Sequence, residues 1–327
     1  MEKIVPYVLD LRDKKLLFEL DKNSRASLTE LAKKLKTSKE VIHYRINNLT
    51  KNKVILKFQA VPATYRFGQK AYKVYIRLGD CSEQEFNKIK EFLIARKDCF
   101  YLAVCKGRWD LIFGLWGKSL EDFFKGHDLF MNKFSKFIQE KELSIGRETI
   151  QFNRRWMYSD SSPVSVFTWG EKDSQTKLEE KDQKILDLLV ADSRKSIVEI
   201  SEETGILVDS VRYRIKAMEK DGIIKGYKCL LNSSKVNFTT CKAFIFFKSI
   251  NEEKKNEFIE YCKNLQNTIN IVITFAPWDL EIMFETKSYE EYFRIMDEIK
   301  EKFKDIINFY ESVLIPQELK QVLMAKE

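Results

Sequence analysis

The sequence predicts an α+β fold assembled from two tandem copies of one unit. Three observations carry that prediction. A stretch from Ser24 to Phe58 reads as helix, turn and helix followed by a β-rich tail. Downstream of about Lys70 the apolar period shortens from helical spacing to alternation. The whole design then returns. Asp13 aligns with Asp182 at a spacing of 169, and the same spacing carries Ser24 to Ser193, Arg25 to Arg194, Glu30 to Glu199, Tyr44 to Tyr213, Arg45 to Arg214, Ile55 to Ile224, Trp109 to Trp278, Asp110 to Asp279 and Phe134 to Phe303. One register kept for over a hundred residues without a net insertion marks a duplication.

Residues 10–22 carry Leu16, Leu17 and Leu20 at helical spacing, and Leu28, Leu31, Ala32 and Leu35 continue the pattern in a second helix. Thr37, with Glu40 three residues on, has the form of a capping box and is expected to cap the third helix. In that helix Ile42, Ile46 and Leu49 share one face, while the opposite face collects Glu40, His43, Tyr44, Asn47 and Lys51. Val54, Ile55, Lys57, Phe58 and Ala60 then suggest wing strands, which completes a winged helix-turn-helix. The second copy turns Val211, Ile215 and Met218 inward and Asp209, Arg212, Tyr213, Lys216 and Lys220 outward. Its Gly222 and Gly226 stand where the first copy has Lys53 and Lys57, so the two wings are expected to differ in shape.

KVYIRL at 73–78 places Val74, Ile76 and Leu78 on one face of a strand and Lys73, Tyr75 and Arg77 on the other. A helix over 82–96, a strand from Phe100 to Cys105, a tight turn at Lys106-Gly107-Arg108, a strand from Trp109 to Trp116, a helix over about 119–139 and a strand near 144–153 follow. The order βαββαβ specifies a ferredoxin-like sandwich. The second copy repeats it from Lys242 to Ile315, with a short helix expected at Glu318 to Lys326. Residues 157–177 hold a Pro, a Gly and clustered Ser, Asp and Thr and read as a linker in which Val164, Val166 and Phe167 can form a strand. The expected domains are therefore 1–62, 63–156, 178–231 and 232–327, with 157–177 between the two halves.

With 327 residues, 44% of them hydrophobic, the chain has material for several cores. Its apolar runs are far shorter than a bilayer span, and MEKIVPYVLDLRD lacks a signal-peptide pattern, so a cytoplasmic protein without membrane contact is expected. Six scattered cysteines without a C-x-x-C pair, and only two histidines, argue against a metal site and for small core residues in a reducing compartment. The net charge of +8 is unevenly spread. Residues 1–62 hold 14 Lys and Arg against 7 Asp and Glu, whereas residues 178–231 hold 10 against 11. A polyanion is thus expected to meet the first helix-turn-helix more strongly than the second. No phosphate-cradling Gly-rich loop, H-E-x-x-H or nucleophile elbow is present, so no catalytic residues and no cofactor are expected.

Leu9-Asp10-x-x-Asp13, SRxSxxEL at 24–31, YRIxxL at 44–49 and the WDL strand opening at 109–111 resemble the Lrp/AsnC (feast/famine) transcription regulators, twice over nearly the whole chain. The resemblance implies that the winged helix reads operator DNA and that the βαββαβ domain pairs and senses a small effector, an amino acid in most members. Two fused units would satisfy that pairing within one chain or between chains. Phe244 and Phe246 support it, because they replace Tyr75 and Arg77 on a face that a lone sandwich leaves wet.

The double-stranded DNA contacts are expected from Lys39, His43, Tyr44, Arg45, Asn47 and Lys51 in the first copy and from Arg212, Tyr213, Arg214, Lys216 and Lys220 in the second. For Arg45 and Arg214 the alternative is an ordinary surface ion pair. The resemblance places an effector beside the turn before the third strand, at Gly107, Arg108 and Asp110 and, in the second copy, Asp279, where Ala276 and Pro277 depart from the pattern. An ordinary hairpin turn is the alternative there. Two rival functions share the fold. One is an effector-sensing module without DNA binding. The other is an enzyme resembling the sirohaem decarboxylases, expected to carry His and Tyr near the second and third sandwich strands. Here 98–111 offers Tyr101 but no His, and His127 falls within a predicted helix.

Overall fold

The computed structural model describes residues 6–158, 164, 166–170 and 176–324, with Trp169 described by its backbone alone. Contacts divide the chain into two units that each combine like parts of both copies. One comprises Met1–Ala63, Gln151–Thr168 and Thr176–Phe238; the other comprises Thr64–Ile150, Trp169–Gln175 and Thr239–Glu327.

In the first unit, α1 (Leu11–Lys22), α2 (Leu28–Leu35) and α3 (Lys39–Lys51) precede β1 (Ile55–Pro62), and α6 (Glu180–Ala191), α7 (Ile197–Thr204) and α8 (Val208–Lys220) precede β7 (Ile224–Leu231). Leu16, Leu17, Leu31, Ile42, Ile46 and Leu49 are buried together, as the apolar spacing predicts. The cap of α3 is Ser38 rather than Thr37, with the Ser38 hydroxyl accepting the Val41 N–H. Thr37 is already used at the preceding stop, where its N–H donates to Ala32 O at 3.0 Å behind the left-handed Lys36.

The wing also departs from expectation. Each copy supplies one strand, and β1 pairs antiparallel with β7 of the other copy. Lys53 adopts the same left-handed conformation as Gly222, so the turn before each strand has one shape despite the substitution. The difference lies at Gly226, where the Phe167 ring fills the space a Cβ would need.

In the second unit the first copy contributes β2 (Lys70–Leu78), α4 (Glu83–Ala95), β3 (Cys99–Gly107), β4 (Leu111–Gly117), α5 (Leu120–Phe134) and β5 (Ile138–Phe152). The second copy contributes β8 (Thr239–Phe247), α9 (Glu252–Asn264), β9 (Thr268–Phe275), β10 (Leu280–Thr286), α10 (Tyr289–Lys302) and β11 (Ile307–Gln321). Strand order is β2-β4-β3-β11-β8-β10-β9-β5-β6, with β6 (Val166–Gly170) at one end and a further β2–β5 pairing that closes the ring. Each copy thus gives four strands, joined at β3–β11 and β9–β5.

Val74, Ile76, Ile89, Leu93, Phe113 and Phe130 fill the layer between the first copy's strands and helices. The opposite face is covered as well. Tyr75 is fully buried, with its ring edge-on to Phe244 at 5.4 Å and Trp278 at 4.8 Å, and Phe246 stacks on Phe309 at 4.1 Å. The helix expected from Glu318 is strand through Gln321, because Gln317, Glu318, Lys320 and Gln321 extend the ladder with β3. The rest of that expected helix, from residue 325, lies outside the described residues. Among the described residues no helix is long and apolar enough to cross a membrane.

Candidate nucleic-acid interface

Helix α3 buries Ile42, Ile46 and Leu49 and leaves Lys39, His43, Tyr44, Asn47 and Lys51 exposed on one stripe. The His43 Nε2 and the Asn47 amide lie 3.0 Å apart, one helical turn from each other, so the pair presents a connected polar edge. Helix α8 repeats the stripe with Arg212, Tyr213, Lys216 and Lys220 exposed. Arg212 lies 2.5 Å from Asp209 within the same helix, an exposed pair that a phosphate or base can displace at little cost. Tyr44 and Tyr213 are 70% and 73% exposed, which leaves their hydroxyls on the outer face in both copies.

Arg45 and Arg214 are differently occupied. Arg45 donates to Asp10 at 2.8 Å and Asp13 at 2.7 Å, and Arg214 donates to Glu179 and Asp182, both at 2.9 Å. Each arginine ties the third helix of its module to the start of the first. The Arg45 guanidinium is held above its ordinary value, with the loss of solvation outweighed by these carboxylates.

A contact that sequence reasoning missed joins the two modules. Ser24 and Ser193 are fully buried with hydroxyls 2.8 Å apart. Arg25 donates to the carbonyls of Ser193 and Lys195, and Arg194 donates to those of Ser24 and Ala26. The Ser24 N–H bonds Tyr227 O at 3.1 Å and the Ser193 N–H bonds Phe58 O at 3.0 Å. At the centre of the β1–β7 ladder Gln59 faces Lys228, residues 169 apart, flanked by Phe58 opposite Cys229 and Ala60 opposite Tyr227. A pseudo-two-fold axis therefore runs through Ser24/Ser193 and Gln59/Lys228. The available signal was that Ser and Arg persisted at the repeat spacing outside the apolar pattern.

The effector candidates lie in the second unit. Gly107 has φ +118°, and a Cβ there would meet Ser312 O at 3.0 Å, so glycine permits the close approach of β11. Arg108 bonds Glu140 at 2.8 Å and also Glu311, with its guanidinium 5.0 Å from the Trp109 ring. The Asp110 carboxylate accepts the Leu78 N–H at 2.8 Å, and Asp279 accepts the Phe247 N–H at 2.9 Å, the same bond 169 residues on. Both aspartates fasten the ends of β2 and β8. Five of the six cysteines are buried, Cys81 being the partly exposed one, and all six are free thiols. Among the described residues no group of His, Cys, Asp and Glu is placed to hold a metal ion.

Comparison with known proteins agrees with this construction. The winged helix-turn-helix DNA-binding family matches twice, over residues 9–55 and 178–225. The HTH-type transcriptional regulator LrpA of Pyrococcus horikoshii is 39% identical over 62 residues, 19% of this chain and 44% of LrpA, so the match spans under half of that relative. An uncharacterized HTH-type transcriptional regulator of Pyrococcus furiosus is 32% identical over 107 residues, 32% of this chain and 71% of that protein. The crystal structure of the siroheme decarboxylase NirDL aligns over 96% of this chain and 94% of its own with a TM-score of 0.62 at 12% identity, a likeness of fold. Two winged helix-turn-helix matches at the repeat spacing, together with relatives named as the regulator LrpA and as an HTH-type transcriptional regulator, make this chain a tandem-duplicated member of the Lrp/AsnC family.

Proposed function

We propose that the chain is a sequence-specific DNA-binding transcription regulator. The observation that carries this reading is the exposed polar stripe of α3, repeated on α8 across the pseudo-two-fold axis. His43, Asn47, Arg212 and Lys216 address base edges, and Lys39, Tyr44, Lys51, Tyr213 and Lys220 address the backbone. Arg45 and Arg214 act by holding those helices in place. The β3–β11 and β9–β5 junctions support pairing of the two sandwich domains within one chain, which replaces the second subunit of a single-unit regulator. A small effector, an amino acid by analogy with the family, would act beside the Gly107–Asp110 turn.

Gel shift of a duplex spanning the protein's own promoter tests this. Binding is expected to weaken steeply with salt, by roughly a thousandfold or more between 50 and 200 mM if six or more phosphates are neutralised. Asn47→Ala is expected to alter sequence preference, and Arg45→Ala to weaken all duplexes alike. Flat salt dependence would instead favour a sensing module without DNA contact.

The decarboxylase reading has one observation in its favour, the fold shared with NirDL over nearly the full chain. Against it, His127 is buried in helix α5 beside Phe123 and Asp128, and burial pushes its imidazole below the ordinary value. Anaerobic incubation with sirohaem is expected to leave the tetrapyrrole unchanged. Release of carbon dioxide would assign catalysis to the chain.

A further inference from the structure

Resting on that reading, we infer that the DNA this chain selects is an asymmetric operator whose two half-sites differ in sequence. A homodimeric reader presents two identical helices across its axis, so its operator is a palindrome. Here the axis relates α3 to α8, and their exposed faces are unlike. Equivalent positions hold Lys39 and Val208, His43 and Arg212, and Asn47 and Lys216. Tyr44 and Tyr213, and Lys51 and Lys220, are the same in both. What the helices share are groups suited to phosphate. Apart from the Lys39/Val208 pair at the helix start, what differs lies in the middle of the stripe, where base edges are met. Asparagine pairs bidentately with the N6 and N7 of adenine, whereas arginine and lysine favour the O6 and N7 of guanine. The half-site under α3 therefore carries an A·T pair where the one under α8 carries G·C.

The pairing of unlike modules is itself fixed by buried charge. Asp21 is fully buried and bonds Arg154 and Lys228, both buried, from the segment after β5 and from β7. Its equivalent in the second copy is Val190, and the equivalent of Lys228 is Gln59. Two first modules paired together would leave each Asp21 with Arg154 but without Lys228, a smaller loss. Two second modules would face Lys228 against Lys228 on the axis with Val190 in place of the carboxylate. The second unit repeats the logic. Glu281 takes Lys73 from the first copy and Lys242 from the second, while its own equivalent is Ile112. Two first copies would bury lysines with no acid between them. An uncompensated buried charge is strongly destabilising, so each reading pair contains one α3 and one α8.

Selection of the full-length protein against a library of random duplexes tests the inference, with His43→Arg/Asn47→Lys as the companion variant. Both substitutions fall on exposed positions and leave the core untouched. The wild type is expected to enrich a motif with two different halves and to bind a palindrome made from either half roughly tenfold or more weakly. The variant is expected to enrich a motif closer to a palindrome of the α8 half-site. A palindromic motif from the wild type, or duplex retention with no motif, would overturn the inference while leaving DNA binding in place. Failure to retain any duplex would remove the DNA-binding reading first, and this inference with it.

Discussion

Glu281→Gln is expected to destabilise the protein by about 3–5 kcal/mol, the usual result of stripping the counter-charge from buried ions. Glu281 is fully buried and accepts Lys73 Nζ at 2.8 Å, Lys242 Nζ at 2.9 Å and the Ser144 hydroxyl at 2.9 Å. Burial alone would push its carboxyl up, but the two ammonium groups reverse this and hold it below the usual carboxylate range. Glutamine keeps the shape and leaves two lysines facing each other. Lys242→Met should cost less, because Glu281 still holds Lys73, and adding it to Glu281→Gln should recover part of the loss. Urea midpoints of the four proteins check this ordering.

The same cluster gives a pH signature. Burial pushes the Lys73 ammonium down to about 8, opposed by Glu281. Its folded value lies below the free-lysine value of 10.5, so the unfolded chain binds more protons between about pH 8 and 10.5. This group's contribution to stability therefore rises with pH across that window. A Lys73→Met variant should lack the rise. Glu281 has the same sign at the acid end, where stability is lost as pH falls below the ordinary carboxylate value.

In the first unit Asp21→Asn is expected to cost about 3 kcal/mol. Asp21 accepts the Arg154 backbone N–H at 2.7 Å and its guanidinium at 2.9 Å, and lies 3.3 Å from Lys228 Nζ. Lys228 also donates to the carbonyls of Asp21 and Phe152. Losing the carboxylate charge should loosen the middle of the β1–β7 ladder, so amides of Phe58 to Val61 should exchange faster in deuterium exchange. Lys228→Gln, which copies Gln59, should be milder because Arg154 remains on Asp21. A loss no larger than that of an exposed ion pair would mean that Asp21 is not the hub of this interface.

Much of this architecture could be read from the sequence, because helices and half-buried strands announce themselves by local period. The inward faces of α3 and α8, the sandwich strands and the repeat register all rest on spacing within a few turns. What escaped depends on the other half of the chain. Lys73 and Tyr75 alternate with Val74 and Ile76 like the wet face of an edge strand, and only the second copy makes them interior, with Glu281 of β10 meeting Lys73 and Phe244 and Trp278 covering Tyr75. The β1–β7 pairing was illegible for the same reason, since a wing strand and a strand shared across an axis have one pattern. Glu318 looked helical because Gln, Glu and Lys have helix propensity, but β3 offers an open ladder that overrides it. Thr37 and Ser38 compete for one cap, and the Schellman turn ending α2 decides between them.

The β1–β7 ladder forms between stretches of a single polypeptide, so its assembly is a first-order event. Regulators built from separate subunits fall apart when few copies are present, whereas tethering sets a local concentration that dilution does not lower. However few copies are present, each would keep its two modules paired.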